Sequence, residues 1–569
     1  MAKKRLSIGG SNFGEFVREN YLFVDKSLFI KEIIDDTAKV VVITRPRRWG
    51  KTSNMSMLYH FLVAEAYGRK TQGLFDNLLI AKDPGNYVQS YQGKYPAIFL
   101  TLKDLKATTF EIALEDMTTI IRDAYCQYKN LLTNPGCRWD DVDRKSFEKY
   151  LNEPLTQADL ANSLLLLSGL LYKHYQQHVY ILIDEYDTPL NFAFSHSNYF
   201  EPMSILLRNF LSRAMKDNTY LAKGIMTGIL RVSKDSMLSG LNNPQIYTVL
   251  KDRRYAPYFG FTDQELNSLF ENQELTKDEG RVKEWYNGYH VNGLTLYNPW
   301  SIVSTLINQA ELKPYWINTA DDSLLKNLLQ NASVDTKKQF ERLMLNKSIT
   351  VDISDTMRFD QVSQDESMLW NLLVSAGYLT MISSFQQRTR TFYEIKIPNF
   401  EVLGLYEEIF MTWLITPNQT FELQRFLEKL TNGEVEQFAI AIEKILKSAA
   451  SVHDYANQPE AFYHGFILAL TVSLMDRYYI FSNHESGLGR PDLLIIPKNT
   501  EKSLAVILEF KSIAEGGSLE ESAKQALAQI QQKEYAAIIV QYSHVQSVMH
   551  VGMVFDGKRV KCESSINPV

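Results

Sequence analysis

Cysteine is nearly absent: the 569-residue chain holds three, Cys126, Cys137 and Cys562. They lie far apart or without metal-site spacing, which excludes a disulfide framework and a cysteine-based zinc site and fits a reducing, cytoplasmic setting. Long apolar runs are missing too. The greasiest stretch, SLLLLSGLL at 163–171, reads as a buried helix face. It has about half of the roughly 20 residues a helix needs to cross a bilayer, so no membrane partner is expected. The opening residues MAKKRLSIGG carry charge with no apolar core behind them, so no secretory leader is expected. Nor is there an excess of positive charge. A net charge of -6 gives no general affinity for polyanions, and any contact with nucleic acid must be local and basic. Low-complexity linkers and internal repeats are also lacking, so domain boundaries must come from changes of pattern.

What the chain does contain is apolar material for several cores, 45% hydrophobic against 22% charged. Its length suggests about three or four domains. Pattern changes divide it into residues 1–250, 251–450 and 451–569. In the first part AKVVVIT (38–44) is an apolar run, followed by a loop at Gly50 and the helix-compatible TSNMSMLYHFLVAEAYG. AIFLTL (97–102), VYILIDEYD (179–187) and GIMTGIL (224–230) are further strand candidates, with a long helical pattern over 157–178. Strands alternating with helices predict a parallel α/β sheet. The middle part reads as mostly helical, with WYNGYH and YNPWSI as turn-rich stretches. LWNLLVSAGYLTMI and RTRTFYEIKIPN predict helix, turn and strand pair, a small winged-helix-like lid. The last part predicts a compact α/β unit: a helix through AFYHGFILALTVSL, strands over PDLLIIPK and SLAVILEFK, a helix over LEESAKQALAQIQQKEY and a strand over AAIIVQYS.

The stretch TRPRRWGKTS (44–53) has the second half of a phosphate-binding loop, G-x-x-x-x-G-K-[S/T], with Arg45 where the first glycine belongs. Such a loop works because backbone N–H groups and the positive end of the next helix face phosphate oxygens. Gly50 shapes the turn, Lys51 reaches the outer phosphates, and the Thr52 hydroxyl ligates magnesium, with Ser53 closing the cofactor-binding stretch. Pro46 can stiffen the bend that glycine would otherwise permit. Arg45, Arg47 and Arg48 are candidates to touch phosphate, or else form a solvated basic turn. The second half of a nucleotide site is ILIDE (181–185): Asp184 at a strand end to hold magnesium, Glu185 to polarise an attacking water. The extra strand between the two motifs suits the P-loop ATPase division that carries a catalytic glutamate beside the magnesium aspartate. On the next strand Thr227 could sense the γ-phosphate and Arg231 could counter its charge. His174 and His178 share a helical spacing but lack the glutamate of a zinc pair, and read as structural.

The C-terminal part holds GRPD (489–492) and EFK (509–511), each on a predicted strand. Phosphodiester cleavage near neutrality needs one or two divalent metals to polarise the phosphate and activate water. Asp492 and Glu509 on adjacent strands can aim at one Mg2+, with Mn2+ a substitute. Lys511 shares a face with Glu509, because residues two apart on a strand do. Its ammonium can orient water or stabilise charge in the transition state. Glu460 on the preceding helix could complete the metal shell, with Glu485 an alternative, and Gln529 on the following helix could hold substrate or water. His464, His484 and Arg490 read as packing or solvated residues.

Together RPRRWGKTS, VYILIDEYDTPL and TGILRVSKDSMLSGLNN resemble the bacterial and archaeal AAA-ATPase-like family, where Arg-Pro-Arg regularly replaces the first loop glycine. FVDKSLFIKEII, YFGFTDQEL, WYNGYH and YWINT are similar to that family as well. The resemblance covers roughly residues 5–320. It implies a P-loop fold that binds ATP, with Lys51, Thr52, Asp184 and Glu185 matching residue by residue. Over about residues 455–545 the chain resembles the PD-(D/E)XK nuclease superfamily, SNHESGLGRPD and EFK carrying the match. That implies metal and catalytic roles for Asp492, Glu509 and Lys511, and extends to Gln529 and Glu460. The expectation is an ATPase and metal-dependent nuclease acting on DNA or RNA, with homo-oligomerisation left open. The alternative is a nucleotide-dependent switch or scaffold whose last domain binds nucleic acid or protein without cutting.

Overall fold

The computed structural model describes residues 4–196, 199–232, 244–275, 278–317, 333–344, 346–354, 365–388, 390–406, 420–449, 467, 471, 474, 477–482, 491–513, 518–556 and 559–569. The chain forms two compact units, Met1–Leu325 with Thr350–Glu401, and Lys326–Ile349 with Val402–Val569.

The first unit is built on five parallel strands: β1 (Val40–Thr44), β2 (Ala97–Thr101), β3 (Val179–Asp184), β4 (Leu221–Gly228) and β5 (Gln245–Tyr247). They pair in the order β2-β3-β4-β1-β5. Strands β1 and β3 are buried along their whole length, which is why VVVIT and VYILID read as unbroken apolar runs rather than alternating ones. Helix α1 (Lys51–Leu62) follows β1 directly. Helix α2 (Gln157–Tyr175) begins at a capping box in which the Thr156 and Asp159 side chains each bond the other's backbone N–H. Leu164, Leu167 and Leu171 of SLLLLSGLL are buried on it, beside α3 (Phe200–Met215). Strand β4 lies between β1 and β3, with Ile43 opposite Thr227 and Ile183 opposite Met226. The carboxyl ends of all three therefore converge, and in open α/β sheets that edge is where ligands bind.

The middle stretch mixes helices with strand pairs. WYNGYH leads into a short hairpin, Tyr289–Val291 with Leu294–Leu296. Helix α4 (Glu366–Ala376) stops at Gly377, whose φ of 87° gives the left-handed C-cap that glycine adopts cheaply. An antiparallel pair follows, β6 (Thr380–Gln387) and β7 (Arg390–Lys396), as the helix-turn-strand-pair reading predicts.

The second unit carries a mixed sheet of β8 (Tyr478–Ser482), β9 (Leu493–Pro497), β10 (Leu504–Ser512), β11 (Ser547–Asp556) and β12 (Arg559–Pro568), in that order. All neighbours are antiparallel except β10 and β11. Leu493, Ile495, Val506, Leu508 and Phe510 fill the core on one face, and Leu494, Ile496, Ala505 and Ile507 pack with Ile530 on the other. Ile530 belongs to helix α5 (Leu519–Gln532).

Two sequence expectations change here. AAIIVQYS is a 3-10 segment, Tyr535–Gln541, not a strand. Tyr535 and Ile539 are buried while Ala537 between them is exposed, which suits a helical turn, since a pleat would set all three on one face. The strand beside EFK is SVMHVGMVFD, further along, and YYIFS supplies an unanticipated first strand. The helix expected through AFYHGFILALTVSL falls almost wholly outside the described residues. So do Glu460, Glu485, His464, His484 and Arg490.

Candidate functional site

The turn after β1 is short and tightly held. Gly50 caps α1 with φ 77° and Arg48 has φ 65°, so two of its residues sit in the left-handed region. A Cβ at Gly50 would meet no atom within 4 Å, so the constraint there is backbone conformation with open space above it. Lys51 is buried, and its Nζ donates to the carbonyls of Pro46 at 2.9 Å and Arg45 at 3.2 Å. Burial lowers its pKa, opposed by the charges of Glu185, Asp184 and Asp187. Thr52 and Ser53, both half-buried, form the first turn of the helix.

At the end of β3, Asp184 is fully buried and receives two hydroxyls. Thr52 Oγ1 donates at 2.5 Å, and Thr227 Oγ1 of β4 makes a short bond to the other carboxylate oxygen. Burial raises the Asp184 pKa against those two bonds. Glu185 follows with φ 53°, a left-handed conformation that costs a non-glycine residue on the order of 1 kcal/mol and puts a sharp corner after the strand. It is half-buried and accepts from Thr188 Oγ1 at 3.2 Å. Arg231, beyond the end of β4, is half-buried.

The three loop arginines have separate fates. Arg45 is fully buried: its guanidinium pairs with Asp252, donates to Thr44 O at 2.7 Å and lies 5.1 Å from the centre of the Phe259 ring. Arg48 is exposed and lies 4.2 Å over the Trp300 ring. Arg47 is half-buried, near enough for its charge to depress the Lys51 pKa.

Sequence reasoning missed Asp187. This fully buried carboxylate accepts from the backbone N–H of Ile229 at 3.0 Å and Leu230 at 2.8 Å, tying the turn after β3 to the end of β4. A Cβ at Gly228 would stand 2.5 Å from Asp187 Oδ1, so this glycine is required for the approach. The second aspartate of DEYD was the available signal. Arg45's partner Asp252 left none, being 207 residues away.

In the second unit Glu509 is 3% exposed on the face of β10 covered by α5. Its Oε1 accepts from Lys511 Nζ at 3.4 Å and makes a short bond to Gln529 Nε2. Its Oε2 is buried without a hydrogen-bond partner among the described residues. Asp492, at the start of β9, accepts from the backbone N–H of Phe510 at 2.7 Å, which fixes it beside Glu509. Burial, then the Asp492 charge, pushes the Glu509 pKa up to about 7. Gly552 stands opposite Glu509 in the β10–β11 register. A Cβ there would lie 2.4 Å from Ala523 O and 2.6 Å from Leu527 N, so only glycine lets α5 close enough for Gln529 to reach Glu509. The structure thus brings Asp492, Glu509, Lys511 and Gln529 together, with Tyr535 OH 3.5 Å from Gln529 Nε2.

Both sites suit the groups they are expected to hold. The Thr52–Asp184 pair offers hard oxygens beside an open turn, as a magnesium-bound nucleotide needs. Glu509 Oε2, buried next to Asp492 without a hydrogen-bond partner among the described residues, is a carboxylate oxygen that a metal ion could take up. Among the described residues no group of three or more His, Cys, Asp or Glu is arranged for a metal ion, so the second site offers two carboxylates. No helix among them is long and apolar enough to cross a membrane.

Comparison with known proteins matches each site to a family. Residues 7–238 match the AAA-ATPase-like family, described as "Predicted AAA-ATPase", and residues 458–565 match the PD-(D/E)XK nuclease superfamily. The chain is 24% identical over 502 residues to an uncharacterized protein from the vnfD 5' region of Azotobacter chroococcum mcd 1, covering 86% of this chain and 84% of that one. The Walker-type ATPase PABY2304 of Pyrococcus abyssi overlaps 67% of this chain and 94% of its own, at 13% identity and a TM-score of 0.35. The chain thus carries an AAA-ATPase-like domain followed by a domain of the PD-(D/E)XK nuclease superfamily.

Proposed function

We propose that this chain binds and hydrolyses ATP, and that its nucleotide state gates a magnesium-dependent site that cuts DNA or RNA. In this reading residues 1–250 hold the nucleotide, 251–450 transmit its state and 451–569 cut. The cytoplasm is the setting, and homo-oligomers are compatible with it.

At the first site Lys51 and the amides of the Gly50 turn hold phosphates, Thr52 and Asp184 hold magnesium, and Thr227 keeps Asp184 in place through its hydroxyl. Ser53, Arg47, Arg48 and Arg231 line the cofactor side, while Arg45 fixes the loop from within. Glu185 accepts a proton from water as it attacks. At the second site Asp492 and Glu509 would hold Mg2+ or Mn2+, and Glu460, outside the described residues, is the third ligand that the sequence suggests. A metal bound there polarises the scissile phosphate and makes its water more acidic. Lys511 steadies the nucleophile and the charge on phosphorus, and Gln529 positions Glu509.

The single observation that carries the reading is the buried Glu509 carboxylate, one oxygen held by Lys511 and Gln529 and the other, beside Asp492, without a hydrogen-bond partner among the described residues. The test is a cleavage assay over DNA and RNA with Mg2+ or Mn2+, with and without ATP, using wild type, Lys51→Ala, Lys511→Ala and Asp492→Ala. Cleavage by wild type that disappears in Asp492→Ala and Lys511→Ala, and responds to ATP only when Lys51 is present, supports it. Absence of cleavage, or equal cleavage by Asp492→Ala, rejects it in favour of a binding switch or scaffold.

A further inference from the structure

We propose that the β6–β7 hairpin is a docking surface for single-stranded nucleic acid; the choice of polymer rests on the phosphodiester-cleaving reading above. β6 is the edge strand of its sheet, exposed from Ile382 through Arg388, and β7 lies inside it. Tyr393 and Ile395 of β7 are buried and root the hairpin in the first unit. Phe385 does no such work: it is 51% exposed. Its ring stacks on Phe392, directly across the pair, with centres 5.7 Å apart and planes 19° from parallel. A large ring is thus held out in water in a fixed orientation by the ring behind it.

Charge is arranged along the same face. Gln387 and Arg390 form the next pair toward the tip, and Arg388 occupies the turn with φ 55°. Toward the base Ser383 Oγ donates to Glu394 at 2.8 Å. The hairpin therefore runs from Lys396 at its base, past one carboxylate and an aromatic step, to two arginines at its tip, in a chain whose net charge is -6. Arg390 pairs with Asp352 at 3.5 Å, but the two side chains are 72% and 39% exposed, so water screens the pair and a phosphate can replace the carboxylate.

An unstacked base can lie on Phe385 while its flanking phosphates meet Arg388 and Arg390, the pairing of stacking with cations that single-strand binders use. A duplex already stacks its bases on one another and gains nothing from the ring. A bare edge strand also invites a second copy or an extended peptide. Such pairing runs through backbone and is indifferent to the Phe385 ring.

The test measures anisotropy of a short labelled oligothymidylate with the full chain in EDTA, so that nothing is cut, and follows particle mass by light scattering. Phe385→Leu, which keeps apolar bulk but loses the ring, should weaken binding about tenfold, and Phe385→Trp should preserve it. Replacing Arg388 and Arg390 by Ala should weaken binding and lower its salt dependence. A duplex probe should bind more weakly and ignore Phe385→Leu. Binding unchanged in both variants, no binding by wild type, or a change of mass in place of affinity would overturn the proposal. Asp492→Ala keeps the two readings apart. If it abolishes cutting while the hairpin variants bind normally, the docking surface falls and the nuclease stands. If wild type cuts nothing but loses oligonucleotide with Phe385→Leu, the reverse holds.

Discussion

Arg45 and Asp252 form an ion pair with both side chains at 0% exposure, at the position where a phosphate loop ordinarily turns on glycine. Asp252 also accepts the backbone N–H groups of Arg254 and Tyr255, both at 2.7 Å, so the pair pins the loop to a second, distant turn. An arginine stands in for glycine because its side chain runs inward and holds the loop by its partners, where glycine would permit the bend by having no side chain.

Removing one member strands the other. Arg45→Ala or Asp252→Ala should each destabilise the chain by about 3–5 kcal/mol, because an unpaired buried charge remains. Replacing both by apolar residues of similar size should cost less than either single change. Urea unfolding of the three variants checks this, and equal losses in all three would contradict it.

Lys51→Ala should leave the fold intact and remove the response to nucleotide. With ATP and magnesium at about 100 times the dissociation constant, wild type should gain roughly 2.7 kcal/mol by mass action, and the variant nothing measurable. Asp184→Asn should lose the magnesium-dependent part of that gain. Thermal shift with and without EDTA separates the two.

Glu509 sets a pH signature. Its pKa is raised to about 7 by burial, so the folded chain holds a proton that the unfolded chain gives up near the ordinary glutamate value. Its contribution to stability is fully present below that value and is lost as pH rises through about 7, on the order of 3 kcal/mol for the metal-free chain. Glu509→Gln should flatten this fall. Metal affinity should run the opposite way, rising with pH to about 7 and then levelling, because the ligand must be deprotonated. Stability curves for wild type and Glu509→Gln over this range, beside Mn2+ titrations, test both signs.

Gly552→Ala should cost about 1–3 kcal/mol, since the new methyl presses on the backbone of α5. It should also slow cleavage by moving Gln529 from Glu509. Gln529→Ala supplies the comparison: slower cleavage with nearly normal stability. If Gly552→Ala loses stability but cuts at the wild-type rate, the closeness of the helix is structural only.

Much of this was legible along the chain. Strand β1, the Gly50 turn, α1 and β3 are local, and an unbroken apolar run that leads into the Gly50 turn or ends at Asp184 states its fold and where a site is to be expected. The pairing of PDLLIIPK with LAVILEFKS follows from apolar runs and a short connection. AAIIVQYS misled because a short apolar run fits a strand or a buried turn equally well, and the choice fell to how Tyr535 and Ile539 pack.

The sequence by itself determined which residue types could do chemistry and where along the chain they stood: GKT, ILIDE, PD and EFK, each fixed by neighbours a few positions away. Only the tertiary structure decided what those residues touch. It turned Arg45 inward to Asp252, joined Thr52 and Thr227 on Asp184, enlisted Asp187, and set Gly552 opposite Glu509 so that Gln529 could reach it. Those contacts join residues far apart along the chain, and such partners are chosen by strand order and burial, which no local pattern records.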